Sequence, residues 1–183
     1  MTTLKLPRAI RLDPSDGFVF RKAAEPGEWV VSGSFLFAPE AVAELDAKGR
    51  AAFRSGFLGI DSFGWSTLAV VSEATPQERE QALAQLAQRF VEKLGAPDLA
   101  AARAAAAEEL VFAASLCDHP AQTLLALHRT LEDGEIRERF RTLTPRGDRP
   151  KDAFRAFEFV EVDGEDEIAE QVDLMKLAKG STP

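Results

Sequence analysis

Tyrosine is absent from this 183-residue chain, cysteine occurs once and histidine twice. Without tyrosine, no phenol can serve as acid, base or nucleophile. Cys117 alone cannot close an internal disulfide, and a single thiol suits a reducing compartment such as the cytoplasm. Together with His119 and His128 it leaves a structural zinc site one nitrogen or sulfur ligand short, so only a mixed carboxylate arrangement could hold a metal. General acid–base chemistry near neutral pH would rest on His119, His128 or a carboxylate with a strongly displaced pKa. No carboxylate pair is spaced for such work, and no cofactor is expected. Long apolar runs are also missing. Runs such as residues 68–71 and 124–127 fall far short of the roughly 18 that span a membrane, and residues 1–11 lack the continuous apolar segment of a secretory signal. Positive charge is in deficit, with 22 Lys and Arg against 30 Asp and Glu and a net charge of −8, which repels phosphate backbones at long range and argues against nucleic acid. These scarcities predict a soluble cytoplasmic protein with neither a membrane nor a nucleic acid as partner.

What is present is a folded composition, 45% apolar and 28% charged, long enough for one core and too apolar for wholesale disorder. Turn signals at residues 14–17 and 26–27 separate three strand-like pieces: Ile10 and Leu12, then Phe18 to Phe20, then residues 29–37. In the third, Trp29, Val31, Phe35 and Phe37 alternate with Ser32 and Ser34. One or two short helices are expected over residues 39–55, interrupted by Gly49, and a strand over residues 66–72. Thr75, Pro76 and Glu78 then spell a capping box ahead of Leu83, Leu86, Phe90 and Leu94 at helical spacing, with Gly95 as the stop. A second helix follows Asp98, burying Leu99, Ala102, Ala106, Leu110, Ala113 and Cys117. Asp133-Gly134 between two alternating segments, residues 123–132 and 135–143, predicts a tight hairpin. A last strand is expected over residues 154–162, and a short helix around 168–177 within an acidic tail that starts near residue 163. The sum is a single α+β domain over residues 1–183, an antiparallel sheet of about six or seven strands with two adjacent helices packed on one face.

Four motifs invite a chemical reading. Gly59, Gly64 and Ser66 have the spacing of a phosphate loop, but Trp65 stands where the lysine belongs and a strand, not a helix, follows. The same loop could form a ligand pocket lined by Arg54, Asp61 and Trp65, or simply pack aromatics around glycines that let backbones approach. Cys117-Asp118-His119 places a thiol beside an imidazole, yet a helix C-terminus raises a thiol pKa. Arg137, Arg139 and Arg141 alternate along one strand, so three guanidinium groups share one face of the sheet. They either pair with Glu132, Glu135 and the acidic tail or offer a docking surface for a carboxylate, a phosphate or an acidic partner. From Glu158 to Asp173 there are eight acids and neither Lys nor Arg, a block that favours solvent and can act as an interaction tail.

Residues 9–16 (AIRLDPSD), residues 53–59 (FRSGFLG) with 64–67 (GWST), and residues 115–120 (SLCDHP) together resemble a small bacterial family of unknown function over nearly the whole chain. The resemblance carries no assigned activity, cofactor or catalytic residue. It implies an accessory role, in the company of maturation factors of molybdenum-dependent formate dehydrogenases. The functional expectation is therefore a non-catalytic accessory or protein-interaction module, with a protein partner or a homo-oligomeric state. The alternatives are a small-molecule binder built on the Arg54 to Trp65 loop, and an enzyme using Cys117 or His119.

Overall fold

The computed structural model describes residues 2–145 and 159–161. The chain runs through β1 (Lys5–Ile10), a single helical turn α1 (Asp16–Val19), β2 (Val30–Val31), 3-10 turns at Ser34–Leu36 and Pro39–Glu44, α2 (Ala47–Ser55), β3 (Phe57–Gly59), β4 (Trp65–Ser66), β5 (Leu68–Glu73), α3 (Pro76–Leu94), α4 (Leu99–Ser115), β6 (Leu124–Glu132), β7 (Glu135–Pro145) and β8 (Phe159–Glu161). The α+β class and the antiparallel pairing are as the sequence predicts. The single sheet is not: the strands divide into one of five, in the order β1-β5-β6-β7-β8, and one of three, β2-β3-β4. The two are stitched at the β1 edge, where Arg8 bridges Trp29 and the Ala9 amide donates to the Glu28 carbonyl at 2.8 Å.

The helix pair sits over that seam. Leu6 of β1, Val31 of β2, Leu58 of β3 and Ile60 form one core with Leu83, Leu86 and Phe90 of α3 and Ala102, Ala106, Leu110 and Ala113 of α4. Small residues on α4 let it approach the sheets closely. Both helix starts are capped as their sequences predict. Thr75 and Glu78 form the reciprocal box, and Asp98 accepts from the Ala101 amide. Gly95 ends α3 in the left-handed region, which glycine adopts without steric cost. Leu99 departs from its expected place, being 53% exposed at the first position of α4. A second core joins Ala9, Ala69, Val71, Leu125 and Leu127 on the inner face of the large sheet to Val30, Phe57 and Cys117.

Two N-terminal strand predictions give way. The Pro14 turn runs on into α1, because the Val19 and Phe20 amides donate to the carbonyls of Ser15 and Asp16. The Asp16 carboxylate, itself buried, accepts from the amide and hydroxyl of Thr67, so the turn is anchored to β5's approach and Phe18 projects outward. The strand expected over residues 29–37 lasts two residues. Ser32 is drawn off by the interior, Gly33 adopts φ +81°, and the chain tightens into the 3-10 turn. Gly49 does not interrupt a helix: it lies in the first turn of α2, where its amide donates to the capping Asp46 carboxylate at 2.7 Å. Asp133 and Gly134, at φ +52° and +76°, make the expected hairpin, both residues tolerating positive φ. Of the strand expected over 154–162, β8 pairs with β7 over Leu143, Thr144 and Pro145; the helix expected around 168–177 and the acidic tail lie outside the described residues.

Candidate functional site

The strongest polar constellation is centred on Arg129, which no sequence motif singles out. Arg129 follows Leu125 and Leu127 on the inward face of β6, and its side chain is completely buried. The hairpin register sets Glu138 opposite it, and Nε donates to Glu138 Oε1 at 2.7 Å. Nη1 donates to the carbonyls of Ala52, Phe53 and Gly56 at 3.2, 3.0 and 2.9 Å, and Nη2 to the Ser32 carbonyl. The last turn of a helix leaves carbonyls without intrahelical donors, and there a cation also meets the negative end of the helix dipole. Arg129 thus caps α2 from inside the protein. Glu138 accepts additionally from Ser32 Oγ at 2.7 Å, so the segment after β2 is tied to the same pair. Burial pushes the Arg129 pKa down, and Glu138 opposes that shift. Glu109 of α4 lies in this field, its pKa raised first by burial and then by Glu138 and Glu108, with Arg129 acting against them.

Where α2 meets β6, a cleft of about 290 Å³ opens, lined by Val42, Ala43, Arg50, Phe53, Arg54, Arg129 and Leu131. Arg54, one of the three loop-site residues expected from the sequence, reaches this cleft. The other two sit elsewhere. Asp61 accepts from Gln85 Nε2 at 2.8 Å and lies 3.9 Å from Arg89 of α3. Trp65 stacks on Phe37 with ring centroids 5.4 Å apart and packs against the bare Cα positions of Gly33 and Gly56. The signal that could have found Arg50 was its i, i+4 spacing from Arg54 on a predicted helix. For Arg129 it was strand parity.

The glycine loop is closed by its own chain. Glu28 accepts from the amides of Asp61 and Ser62 at 3.1 and 3.0 Å, so a carboxylate occupies the donors a phosphate would use. Arg137 and Arg139 are exposed, and both hold Glu132, at 3.2 and 3.4 Å, while Arg141 makes no ion pair among the described residues. Cys117 is buried, and burial pushes its thiol up to about 12, with Lys5 acting weakly the other way. The nearby Lys5 Nζ donates to the His119 carbonyl, an interaction that leaves the imidazole uninvolved. No group of three or more His, Cys, Asp or Glu could hold a metal ion among the described residues, and no described helix is long and apolar enough to cross a membrane.

These features define an α+β protein of two stitched antiparallel sheets with a buried arginine at the centre of its polar interior. The chain belongs to a family of unknown function (DUF6505), whose model matches residues 3–158. No curated protein and no solved structure matches it.

Proposed function

We propose that this chain is a non-catalytic accessory protein that docks a different protein on the outer side of α4. The observation that carries the reading is that α4 is apolar around nearly its whole circumference. Its only charged residues are Arg103, Glu108 and Glu109, and its outward side exposes Ala101, Ala104, Ala105, Val111 and Phe112. A helix at a free surface ordinarily turns polar side chains to water. The neighbouring α3 does so, exposing Gln77, Glu80, Gln81, Gln85, Gln88 and Glu92. Val111 at 59% and Phe112 at 39% exposure form the bulky end of a stripe whose alanines would let another backbone come close.

A second copy of the chain is a poor occupant. Glu108 lies midway along the stripe, so a twofold axis there would set two carboxylates together, and each copy carries a net charge of −8. An apolar segment bearing a basic side chain opposite Glu108 fits better. The arginine stripe contributes less to this reading, since Arg137 and Arg139 already share Glu132. The test places a photo-crosslinking residue at position 111 of the full chain in its native lysate, with position 88 on α3 as control. One distinct protein captured from 111 alone, whose purified form binds at least about tenfold more weakly to Val111→Asp, is the expected result. Capture of the chain itself, or of nothing, would overturn the reading.

A further inference from the structure

We propose that the cleft between α2 and β6 is a binding site for a small oxyanion carried on an apolar body, gripped by Arg50 and Arg54. The two arginines stand four residues apart on α2, so their side chains share one face with Cβ atoms about 6 Å apart. Both are exposed and both line the cleft. Among the described residues neither side chain makes an ion pair or a hydrogen bond, whereas Arg8, Arg21, Arg89, Arg103, Arg129, Arg137 and Arg139 each hold a carboxylate. Arg11, Arg79 and Arg141 also hold no carboxylate among the described residues, but they do not line this cleft; Arg50 and Arg54 stand side by side on it.

Below them, Arg129 holds the C-terminal carbonyls of α2, those of Ala52, Phe53 and Gly56, from the inside. The Arg129 side chain is fully buried and engaged by four carbonyls and Glu138, so the grip falls to the exposed Arg50 and Arg54. Val42, Ala43, Phe53 and Leu131 supply apolar walls, and a volume of about 290 Å³ lies at the small end of ligand pockets. A guanidinium pair beside an apolar wall selects a phosphate or carboxylate head with a compact hydrocarbon body. The site is distinct from the outer side of α4, and its failure would leave the docking reading standing.

The experiment titrates the full chain with phenyl phosphate and with benzoate, using inorganic phosphate for the head alone and phenol for the body alone, followed by amide NMR. Saturable shifts confined to residues around 42–54 and 129–131 are expected, with phenyl phosphate or benzoate at least about tenfold tighter than inorganic phosphate or phenol; which of the two binds more tightly identifies the head. Arg50→Gln and Arg54→Gln should each weaken that binding about tenfold or more, since each removes a charge-assisted hydrogen bond to the anion. Both positions are exposed, so the variants should keep the amide spectrum of the folded chain. Absence of saturation at millimolar ligand, or unchanged affinity in the double variant, would overturn the site, and equal binding of inorganic phosphate would overturn the apolar body.

Discussion

Arg129 and Glu138 lie opposite one another in the β6–β7 ladder and meet at 2.7 Å inside the protein. Everything around the pair depends on both members. Replacing Glu138 with Gln leaves a buried guanidinium without its counter-charge, and breaking a buried pair in this way costs about 3–5 kcal/mol. Arg129→Met removes the charge but takes a donor from the carbonyls of Ser32, Phe53 and Gly56, while that of Ala52 keeps the Gly56 amide. The double variant Arg129→Met with Glu138→Gln should lose less than the sum of the two, because the second change no longer isolates a charge. Urea unfolding of the three variants measures this directly; strict additivity would mean the two residues do not act as a unit.

Glu109 gives the fold a pH dependence of definite sign. Its pKa is raised in the folded protein, by burial first and by Glu138 and Glu108 next, so the native state holds that proton more tightly than the unfolded chain. Between the unfolded carboxylate range, near pH 4, and the higher native pKa, the native state therefore binds more protons and this group's contribution to stability falls as pH rises. Glu109→Gln should stabilise the protein at neutral pH and flatten that part of the pH profile. Denaturant midpoints measured at about pH 4 and about pH 7 decide it: a variant less stable than the parent at the higher pH would show that attraction to Arg129 outweighs burial.

Much of this arrangement was already written in the sequence. Given an Asp133-Gly134 two-residue turn, Arg129 must face Glu138, and parity with Leu125 and Leu127 turns both inward. The capping box at Thr75 and the Gly95 stop were equally local, and local signals survive folding because few other forces compete at a helix end. The division into two sheets was not legible, since it depends on which strand edge meets β1, a long-range choice. Nor was the early end of the strand after Trp29. Ser32 leaves the strand to serve Arg129, 97 residues away, and nothing near Ser32 announces that demand. The structure does not gather Arg54, Asp61 and Trp65 for the same reason: sequence proximity set no direction, and Asp61 turns to α3, Trp65 to Phe37 and Arg54 to the cleft beside β6.

Two glycines with contrasting surroundings should respond in opposite ways to the same methyl group. A Cβ at Gly64 would lie 2.5 Å from the Ala23 carbonyl oxygen and 2.9 Å from the Ala24 nitrogen, contacts with backbone that cannot swing aside. Gly64→Ala should therefore cost about 1–3 kcal/mol, as overpacked interiors do. Gly17, inside the α1 turn, has open space around the same position and no positive φ, so Gly17→Ala should be neutral or stabilise by up to about 1 kcal/mol through the unfolded chain. Thermal melts of the two variants provide the comparison. A tolerated Gly64→Ala would mean that the bridge between Ala23 and Trp65 opens more readily than its contacts imply.

The last expectation concerns the one thiol. With the Cys117 pKa raised to about 12 by burial, the thiolate fraction at pH 7 is on the order of one in 10⁵, far below that of a free cysteine. The sulfur also lies within a core shared with Ala9, Val71 and Leu125, so a reagent reaches it only when the structure opens. Alkylation of the native chain by iodoacetamide should consequently be slow and should accelerate in urea along the same curve as the loss of secondary structure. The two effects separate on raising the pH: ionisation alone would speed the reaction tenfold per pH unit, whereas burial keeps the folded chain protected until it opens. Rapid, selective alkylation under native conditions would instead restore Cys117 as a nucleophile and reopen the enzyme reading.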